Sequence, residues 1–395
     1  MSVRPVIRLL PGQQKRARHG HPWIYSNEIV MDAAAKSLPP GELVNVESAN
    51  GESLGVAFFN SHSLVAARIL SGNPTREIDV DFFTAHLGRA LALREALYDA
   101  PYYRLVHAEA DGLPGLAIDR YGDVLACQMN AAGIERLATP LTEAIERVLD
   151  PRVILFRNDS PIRALEGLPG TQHFAKGTLS GPIELVENDC RFLADLMTGQ
   201  KTGWFYDQRD NRAFMARLAR GRSVLDVYCY SGGFAIEAAR AGAREVLAID
   251  GSDPALALAR QAAELNGVEA LCRFERGSAF TAMERLAADG RHFDIVICDP
   301  PAFVKSKRDL ATGAKGYRKL ARLAGQLASP GGFVFLASCS HNMEASRFAE
   351  EVRRGLEQAG RSGRILRSAG AASDHPVHPH LPESSYLKAL VLQVD

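Results

Sequence analysis

Residues 223–242, SVLDVYCYSGGFAIEAARAG, decide the fold class of this chain. An apolar run with strand character leads into a glycine-containing turn, and a run of helix-forming residues follows the turn. Further strand-like runs are EVLAID (245–250), FDIVICD (293–299) and FVFLASCS (333–340), with helical sequence between them. Strands that alternate with helices in this way predict a parallel, doubly wound α/β sheet with helices on both faces.

The turn after the first of these strands is the expected ligand-binding loop, because ligands of open parallel sheets bind beyond the carboxyl ends of the strands. Asp226 ends the strand, and Gly232 and Gly233 would let a ligand approach the backbone where the next helix starts. The dinucleotide pattern G-x-G-x-x-G is absent, and Tyr230 and Ser231 stand where a pyrophosphate would require glycine. A nicotinamide cofactor is therefore disfavoured.

Acidic residues also end the next two clear strands. Asp250 lies where a carboxylate accepts hydrogen bonds from ribose hydroxyls, which predicts a nucleoside ligand without a large anionic tail. Residues 299–303, Asp-Pro-Pro-Ala-Phe, form a rigid element because two prolines fix the backbone, and the element projects Asp299 and Phe303 into the cleft. Together these features resemble the class I S-adenosylmethionine-dependent methyltransferases, which implies S-adenosylmethionine as the cofactor. The alternative is a generic α/β sheet whose acids merely cap strand ends.

The sequence before this region predicts two further domains. A length of 395 residues is typical of two or three domains. Alternating apolar and polar positions with turns between the runs predict a compact β domain over 1–72. A helix and a β-β-β-α-β pattern follow, which predict a small α+β domain over 73–184. Residues 171–182 are rich in turn formers and precede a hairpin with its tip at Asn188-Asp189, and the domain of the doubly wound sheet covers 185–395.

Composition excludes several classes of protein. Lys and Arg (46) balance Asp and Glu (46), so there is no global basic excess, and any surface for nucleic acid must be local. No apolar stretch reaches about 18 residues and the amino terminus lacks an apolar signal region, so neither a membrane span nor secretion is expected. Six cysteines without a C-x-x-C pair are typical of the reducing cytoplasm and disfavour a zinc ribbon.

Cys339 is the cysteine best placed for catalysis. It lies in Ser-Cys-Ser-His-Asn (338–342), a polar run directly after an apolar strand, and therefore at the ligand edge of the sheet beside Asp299. The other five cysteines are interpreted as small buried hydrophobes, as is usual for cysteines in apolar or strand-like surroundings. Structural packing is the alternative for Cys339 as well.

Two longer stretches carry a closer resemblance. GQKTGWFYDQRDNR (199–212), which composition alone predicts to be a polar loop, and DHPVHPHLPESSYLK (374–388) resemble the bacterial ribosomal RNA large subunit methyltransferase I group. That group forms 5-methylcytosine in 23S ribosomal RNA. The resemblance covers the full length, because the group carries an amino-terminal PUA RNA-binding domain, a small central domain and a Rossmann-like methyltransferase domain. It implies that the partner is 23S ribosomal RNA or the assembling large subunit.

The resemblance also implies roles for particular residues. Carbon 5 of cytosine is a weak nucleophile, and the family mechanism activates it by adding a thiolate, here Cys339, to carbon 6 of a flipped base. Asp299 would hold the N3/N4 edge of the base and Phe303 would stack on it, whereas the proton acceptor stays open, with His341 one candidate. Ser278 departs from the family, because an acid often binds the adenine amino group there, and this difference predicts weaker cofactor binding.

The expected site has a cofactor part and an RNA part. The cofactor-binding residues are expected to be Asp226, Tyr230, Ser231, Gly232, Gly233, Asp250, Ser278 and Asp299. The RNA-binding residues are expected to be Lys15, Arg16, Lys201, Arg209, Arg212, Phe303, Lys305 and Lys307. The basic run over 305–322 is interpreted either as a series of phosphate contacts or as a solvated helix face. Lys15 and Arg16 belong either to a docking edge or to a solvated amino-terminal arm.

Other functions stay open at this point. Asp-Pro-Pro-x-Phe also resembles the turn with which exocyclic-amine methyltransferases hold an amino group without a covalent step, and a chain that had lost catalysis would be an RNA-binding assembly factor. A metal site at His375, His378 and His380 is disfavoured, because Pro376 and Pro379 favour a loop and no acid or cysteine partners the histidines closely. The sequence leaves the oligomeric state open, a homodimer included.

Overall fold

The computed structural model describes residues 4–395, which form two compact units. Within that range, unit 1 contains the chain up to Gly181 together with Leu196–Trp204 and Asp374–Ser384, and unit 2 contains Pro182–Asp195, Phe205–Ser373 and Ser385–Asp395. Both stretches that carry the closer resemblance are thus divided, since 199–212 changes unit after Trp204 and 374–388 changes unit after Ser384. The domain boundaries expected at residues 72 and 184 stay predictions.

Unit 1 begins with a five-stranded sheet. Its elements are β1 (Val6–Arg8), α1 (Lys15–Arg18), β2 (Trp23–Tyr25), α2 (Ala33–Ser37), β3 (Glu42–Glu47), β4 (Ser53–Phe59) and β5 (Val65–Ser71). The strands lie in the order β1-β3-β4-β5-β2, with β1 and β3 parallel and the other pairs antiparallel. Val44 and Val46 of β3 are buried with Ala57 and Phe59 of β4 in one core, as a period-two pattern requires. The predicted β unit is therefore confirmed.

A second five-stranded sheet completes unit 1. Its elements are α3 (Val80–Leu97), β6 (Tyr102–His107), β7 (Leu116–Tyr121), β8 (Val124–Met129), α4 (Ala132–Arg136), α5 (Ala138–Leu149), β9 (Val153–Asn158) and β10 (Thr171–Lys176). The strands lie in the order β10-β9-β8-β7-β6, so the β-β-β-α-β pattern is confirmed, with its helix broken at Leu137. The segment 171–182, which is rich in turn formers, begins with strand β10. This strand pairs with the edge of β9, and because its side chains are mostly exposed, no hydrophobic alternation reveals it.

Unit 2 begins with the expected hairpin. Strands β11 (Ile183–Glu187) and β12 (Cys190–Ala194) are antiparallel. Asn188 and Asp189 between them have φ values of 50° and 61°, both in the left-handed region. A two-residue hairpin turn of type I′ requires this conformation at both positions, and Asn and Asp tolerate it well. The predicted tip at Asn188-Asp189 is confirmed.

The main sheet of unit 2 has seven strands. They are β13 (Ser223–Val227), β14 (Glu245–Asp250), β15 (Cys272–Arg276), β16 (Phe293–Cys298), β17 (Ala328–Ser338), β18 (Gly363–Ala369) and β19 (Lys388–Val394). The helices of this unit are α6 (Arg209–Arg217), α7 (Gly233–Arg240), α8 (Asp253–Leu265), α9 (Ala279–Ala288), α10 (Leu310–Leu327) and α11 (Ala345–Gln358). The strand order is β15-β14-β13-β16-β17-β19-β18, in which β13 to β17 are parallel and β19 pairs antiparallel with both β17 and β18. The predicted doubly wound α/β fold is confirmed.

The centre of this sheet positions the candidate site. Every residue of β13 is buried, and the chain order runs outward from β13 in both directions, to β14 on one side and β16 on the other. Ligands of open α/β sheets bind at such a switch point, beyond the carboxyl ends of the strands. The loops that follow β13, β14, β16 and β17 meet there.

Residues 199–212 differ from the polar loop that composition predicts. Residues 202–204 and 206–209 are buried, and α6 begins at Arg209. In unit 1 the Thr202 hydroxyl donates to Asp119, and the Tyr121 hydroxyl donates to the carbonyl of Thr202 at 2.9 Å. Buried polar groups need hydrogen-bond partners. Distant parts of the chain supply them here, which a local composition does not reveal.

Candidate functional site

Asp226 lies beneath the glycine turn rather than at its surface. Its side chain is fully buried at the end of β13, and Oδ2 accepts a hydrogen bond at 3.0 Å from the N–H of Ala235 in α7. Burial, followed by repulsion from Asp299 and Asp250, raises the pKa of the Asp226 carboxyl to about 8. The structure thus corrects the expectation of a direct cofactor contact, because no surface of Asp226 is accessible. Asp226 positions the turn instead.

The two glycines of the turn are required by packing within the protein. Gly232 has a φ of 86°, a conformation that residues with a side chain rarely adopt. A Cβ at Gly233 would lie 2.6 Å from Nε of Arg212. The Arg212 side chain therefore fills the space beside Gly233 that the sequence predicts to be open to a ligand. Ser231, beside them, is buried, and its Oγ has no hydrogen-bond partner within residues 4–395, so a bound ligand could satisfy it.

Asp250 fixes the conformation of the same turn. Its Oδ2 accepts a hydrogen bond from the N–H of Tyr230 at 2.9 Å, and its Oδ1 accepts one from the N–H of Ser252 at 2.8 Å. Tyr228 and Tyr230 have φ values of 65° and 50°, left-handed conformations that cost a non-glycine residue about 1–2 kcal/mol. Such strain is concentrated at ligand-binding sites. Asp250 is half-buried, and each of its oxygens keeps a lone pair for a ribose hydroxyl.

Ser278 lies close to Asp250. The N–H of Gly277 donates to the carbonyl of Asp250 at 2.9 Å, which holds the ends of β14 and β15 side by side. Ser278 is exposed at the N-cap position of α9, and its side chain makes no capping hydrogen bond there. The hydroxyl therefore lies exposed at the carboxyl ends of β14 and β15, and its contact with the cofactor stays a prediction.

The donor set at this edge fits the cofactor that the resemblance implies. Asp299 and Asp250 both raise the pKa of Asp226, which shows that acidic groups are concentrated at this edge, and their negative charge favours a ligand that brings positive charge. S-adenosylmethionine carries a sulfonium and an ammonium group, whereas a pyrophosphate would be repelled. Tyr230, Asp250 and Asp299 are half-buried and Ser278 is exposed, so these four side chains can reach a ligand.

Cys339 lies on the loop next to the Asp-Pro-Pro-Ala-Phe element. Strands β16 and β17 are parallel neighbours with Cys298 opposite Leu336, so their carboxyl ends lead side by side into the two loops. Cys339 is half-buried directly after β17, and Asp299 is half-buried directly after β16. The structure thus brings the two expected catalytic residues to the same edge of the sheet.

Tyr317 ties these two loops together. Its buried hydroxyl in α10 forms hydrogen bonds of 2.8 Å with the hydroxyls of both Ser338 and Ser340, the residues on either side of Cys339. Ser340 Oγ also accepts a hydrogen bond from the N–H of Val304 at 3.1 Å. The backbone around the thiol is therefore fixed relative to the neighbouring loop.

Phe303 is already packed against protein on one side. Its ring centroid lies 4.8 Å from that of Tyr317 and 6.0 Å from that of Phe280. A Cβ at Gly316 would lie 3.0 Å from the Phe303 ring. Stacking on a base would have to use the part of this half-buried ring that faces away from α10.

Arg209 and Arg212 are placed differently from the RNA-facing position predicted for them. Only 7% of Arg209 and 5% of Arg212 is exposed, and both guanidinium groups are ion-paired with buried Glu187. Arg212 also donates to the carbonyl of Phe205 at 2.7 Å. Burial and the charge of Glu187 raise the pKa of the adjacent Glu237 carboxyl well above its usual value. The expectation of RNA contacts is corrected, because both cations neutralise a buried acid of the protein.

Lys305 and Lys307 do lie on the surface. Both are exposed in the loop after the Asp-Pro-Pro-Ala-Phe element, and neither forms an ion pair within residues 4–395. Arg318 and Lys319, later in the same basic run, pair with acidic residues of α11 and α9. The exposed lysines at the start of the run are therefore suited to phosphate contacts, whereas Arg318 and Lys319 in α10 form ion pairs with the protein.

The remaining cations expected to bind RNA belong to unit 1. Lys15 and Lys201 are exposed. Arg16 pairs with Glu28 at 3.2 Å, and its guanidinium lies 4.7 Å from the ring centroid of Tyr25. Lys15 and Lys201 thus lie on the surface of unit 1, and Arg16 contacts both Glu28 and Tyr25.

The histidines of the carboxy-terminal segment have other partners. His375 is buried, and its Nδ1 is hydrogen-bonded to Asp374 at 2.7 Å. Burial and the neighbouring His380 lower the pKa of His378. Over the described residues, no group of three or more His, Cys, Asp or Glu side chains could hold a metal ion. In the same range, no helix combines the length and apolar character needed to cross a membrane.

Sequence reasoning missed Tyr317 and Lys388. Lys388 stands opposite Ser338 in the antiparallel register of β17 and β19. Its Nζ donates hydrogen bonds to the carbonyls of Ser340 and Tyr386, both at 2.7 Å. The sequence DHPVHPHLPESSYLK contains Lys388, but local pattern does not show that β19 inserts between β17 and β18.

Comparison with protein families assigns both ends of the chain. Residues 7–72 match a PUA-like domain, and residues 164–393, more than half of the chain, match an S-adenosylmethionine-dependent methyltransferase. The two matches correspond to the first sheet of unit 1 and to the seven-stranded sheet of unit 2.

Comparison with individual proteins gives full-length matches. The chain is 36% identical to the ribosomal RNA large subunit methyltransferase I of Erwinia tasmaniensis and 37% identical to that of Shewanella amazonensis, over 100% of each chain. A solved structure of a putative methyltransferase from Streptococcus mutans matches with a TM-score of 0.84 at 21% identity, over 98% of this chain and 100% of that one. At that identity the structural likeness supports the fold alone.

Proposed function

The chain belongs to the ribosomal RNA large subunit methyltransferase I family of S-adenosylmethionine-dependent enzymes, and from that premise we propose that it forms 5-methylcytosine in 23S ribosomal RNA through a covalent bond between Cys339 and carbon 6 of the base. Membership in the family establishes methyl transfer to large-subunit ribosomal RNA. The proposal adds the atom that is methylated and the covalent step. Because ribosomal RNA is methylated where ribosomes are made, we also assign the enzyme to the cytoplasm.

One observation carries the proposal, the hydrogen bond of 3.1 Å from the N–H of Val304 to Ser340 Oγ. It ties the residue after Cys339 to the loop that begins at Asp299, and the Tyr317 hydroxyl reinforces this tie from α10. A base held by Asp299 would therefore lie beside a thiol. Among the other cysteines, burial raises the thiol pKa of Cys298, at the end of β16, and of Cys229, in the turn after β13, which disfavours their reactive thiolate forms.

The proposed chemistry uses these groups at defined atoms. The Cys339 thiolate adds to carbon 6, and the electron pair of the C5–C6 double bond moves to carbon 5 and toward N3. Asp299 holds the base in place by accepting a hydrogen bond from the N4 amino group. Once carbon 5 is methylated, its proton leaves to a base, the double bond re-forms, and the C6–S electron pair returns to Cys339.

The cofactor would be held at the carboxyl ends of β14 to β16. Asp250 would accept hydrogen bonds from the ribose hydroxyls, Ser278 would accept one from the adenine amino group, and Ser231 Oγ and Tyr230 would contact the ligand at the strained turn. When bound, S-adenosylmethionine supplies an electrophilic methyl group. The carboxylates of Asp250 and Asp299 favour its positive charge.

We propose that exposed lysines contact the RNA. Lys305 and Lys307 lie on the loop adjoining Cys339, and the side-chain amide of Asn342 donates to the carbonyl of Lys305 at 3.4 Å, which connects this loop to that of Cys339. Lys15 and Lys201 would contribute from unit 1. Contacts of this kind bind phosphate and position the strand, without reading its sequence.

The test is methyl transfer from tritiated S-adenosylmethionine to unmodified 23S ribosomal RNA, followed by nucleoside analysis. Wild type and Cys272→Ala are expected to yield 5-methylcytidine, and Cys339→Ala is expected to yield none. Cys272 is a matched control, because it is also half-buried in unit 2. It is the first residue of the edge strand β15, whereas Cys339 follows the carboxyl end of β17. RNA that contains 5-fluorocytidine should form a stable covalent complex with wild type and not with Cys339→Ala, because fluorine cannot leave as the proton does.

The other outcomes would replace this proposal. An active Cys339→Ala variant, or an N-methylated product, would contradict the covalent step and favour exocyclic-amine methylation, in which Asp299 holds an amino group. RNA binding without transfer to any RNA would favour the assembly-factor function.

A further inference from the structure

Lys388 lies beside the Cys339 loop in unit 2, and the mechanism above does not use it. It is the first residue of β19 and stands directly opposite Ser338, the residue before Cys339. Its Nζ donates to the carbonyl of Ser340, the residue after Cys339, and to that of Tyr386, both at 2.7 Å. The ammonium group is therefore fixed against the backbone carbonyl that follows the thiol, and the backbone of Lys388 pairs with the residue that precedes it.

The surroundings of this ammonium strengthen its effect. Lys388 is half-buried, and burial lowers its pKa, whereas interaction with Cys339 and Glu344 raises it. Charges that are partly removed from water interact more strongly than exposed ones. A cation next to a cysteine favours the thiolate, which is the nucleophilic form.

The other ionisable groups around the thiol come from four places. Tyr317 faces it from α10 as a neutral hydroxyl, and Glu344 lies at the N-cap of α11. Asp299 follows the adjacent strand β16. His341, two residues after Cys339, is exposed and stacks on Tyr386 with ring centroids 5.5 Å apart. Negative charge on Glu344 or Asp299 would oppose ionisation of the thiol, whereas the ammonium of Lys388 would favour it.

We propose that Lys388 is a positioning residue that stabilises the thiolate of Cys339 and fixes its loop through the Ser340 carbonyl. The inference rests on the proposed function, in which Cys339 is the nucleophile. Lys388 keeps its proton throughout and touches neither the base nor the cofactor. It raises the fraction of enzyme that is ready to attack carbon 6 at neutral pH.

The test is the pH dependence of alkylation of Cys339 by iodoacetamide in the full-length protein, without RNA or cofactor, read by peptide mass spectrometry. In wild type the midpoint of the rate profile is expected below about pH 8.5, the value of a free cysteine. Lys388→Met and Lys388→Gln should move it upward by about one pH unit or more. Lys388→Arg, which keeps the charge, and Arg364→Met, which removes an exposed cation from β18, should leave it close to wild type.

The variants separate charge from folding. Gln keeps an N–H donor for the Ser340 carbonyl, so equal shifts in the Met and Gln variants assign the effect to charge, and circular dichroism checks that both variants fold. In the methylation assay Lys388→Met should lower kcat about tenfold at pH 7, with KM for RNA unchanged and with recovery toward pH 9 as the thiol ionises.

Failure of the inference and failure of the proposed function are distinguishable. Identical alkylation midpoints in wild type, Lys388→Met and Lys388→Gln would overturn the inference even if Cys339→Ala is inactive. A shifted midpoint together with an active Cys339→Ala variant would overturn the covalent mechanism, and with it the role of Lys388 in the reaction, while the coupling between the two side chains would stand.

Discussion

Two basic segments of unit 2 look alike in sequence and lie in opposite surroundings. Arg-Asp-Asn-Arg (209–212) and Lys-Ser-Lys (305–307) each carry two cations in a short polar run. The arginines are buried against Glu187, which lies 22 and 25 residues earlier in the chain, whereas the lysines are exposed beside the Cys339 loop. A charge in a sequence thus predicts a partner of opposite sign, but only the fold decides whether that partner is the protein or a phosphate.

The largest expected effect is a loss of stability when one of the buried arginines that pair with Glu187 is replaced. Arg212→Met leaves Glu187 with one of its two counter-charges, and we expect the free energy of unfolding to fall by about 3–5 kcal/mol, as when one partner of a buried ion pair is removed. Lys305→Met is the matched control and should change stability by no more than about 0.5 kcal/mol. Urea denaturation of both variants measures the difference, and equal effects would contradict the comparison.

Asp226 is a buried acid, and its burial makes the stability of the protein depend on pH. Its pKa is raised to about 8 by burial and by Asp299 and Asp250, so the folded state holds a proton that the unfolded chain releases near pH 4. The stability that this proton contributes is present at acid pH and is lost as the pH rises toward 8. Asp226→Asn should therefore match wild type near pH 4 and melt several degrees higher near pH 8. Parallel melting profiles over this range would contradict the assignment.

Because Lys305 and Lys307 are exposed, we expect their replacement to have a smaller effect, on RNA binding alone. The double variant Lys305→Met/Lys307→Met should bind 23S ribosomal RNA about tenfold more weakly at low salt, with the slope of log affinity against log salt reduced by about one to two. Its melting temperature should equal that of wild type. Arg364→Met, which removes one exposed cation from β18, controls for the loss of a surface charge elsewhere in unit 2 and is compared with each single lysine variant. An unchanged salt dependence in the double variant would exclude the two lysines from the RNA interface.

Ser278 supplies the smallest expected change. Because its side chain is exposed and caps nothing, a carboxylate there should cost no stability. It should strengthen the contact with the adenine amino group, since hydrogen bonds to charged acceptors are stronger by about 1 kcal/mol, about fivefold in affinity. Calorimetric titration of Ser278→Asp with S-adenosylhomocysteine measures this. Binding no tighter than that of wild type would show that the hydroxyl does not face adenine.

The sequence was sufficient where local pattern decides the structure. Strand and helix alternation predicts the α/β sheet, Asn188-Asp189 predicts its turn, and strand order places Cys339 beside Asp299. The sequence did not predict the structure where the role of a side chain depends on a residue far away in the chain. The space at Gly233 is taken by Arg212, and the exposed strand β10 has no hydrophobic pattern of its own.

The division of the chain between the two units has a consequence for the order of synthesis. In unit 1 the N–H of Arg104 donates to Oδ2 of Asp374 at 2.8 Å, and fully buried Arg94 donates to the Asp374 carbonyl at 2.9 Å. A ribosome releases the amino-terminal part of a chain first, yet these partners emerge only when nearly all of unit 2 has been made. Until then Arg94 and the N–H of Arg104 lack these two hydrogen bonds, so a fragment that ends at residue 181 would be without contacts that the last part of the chain supplies to α3 and β6.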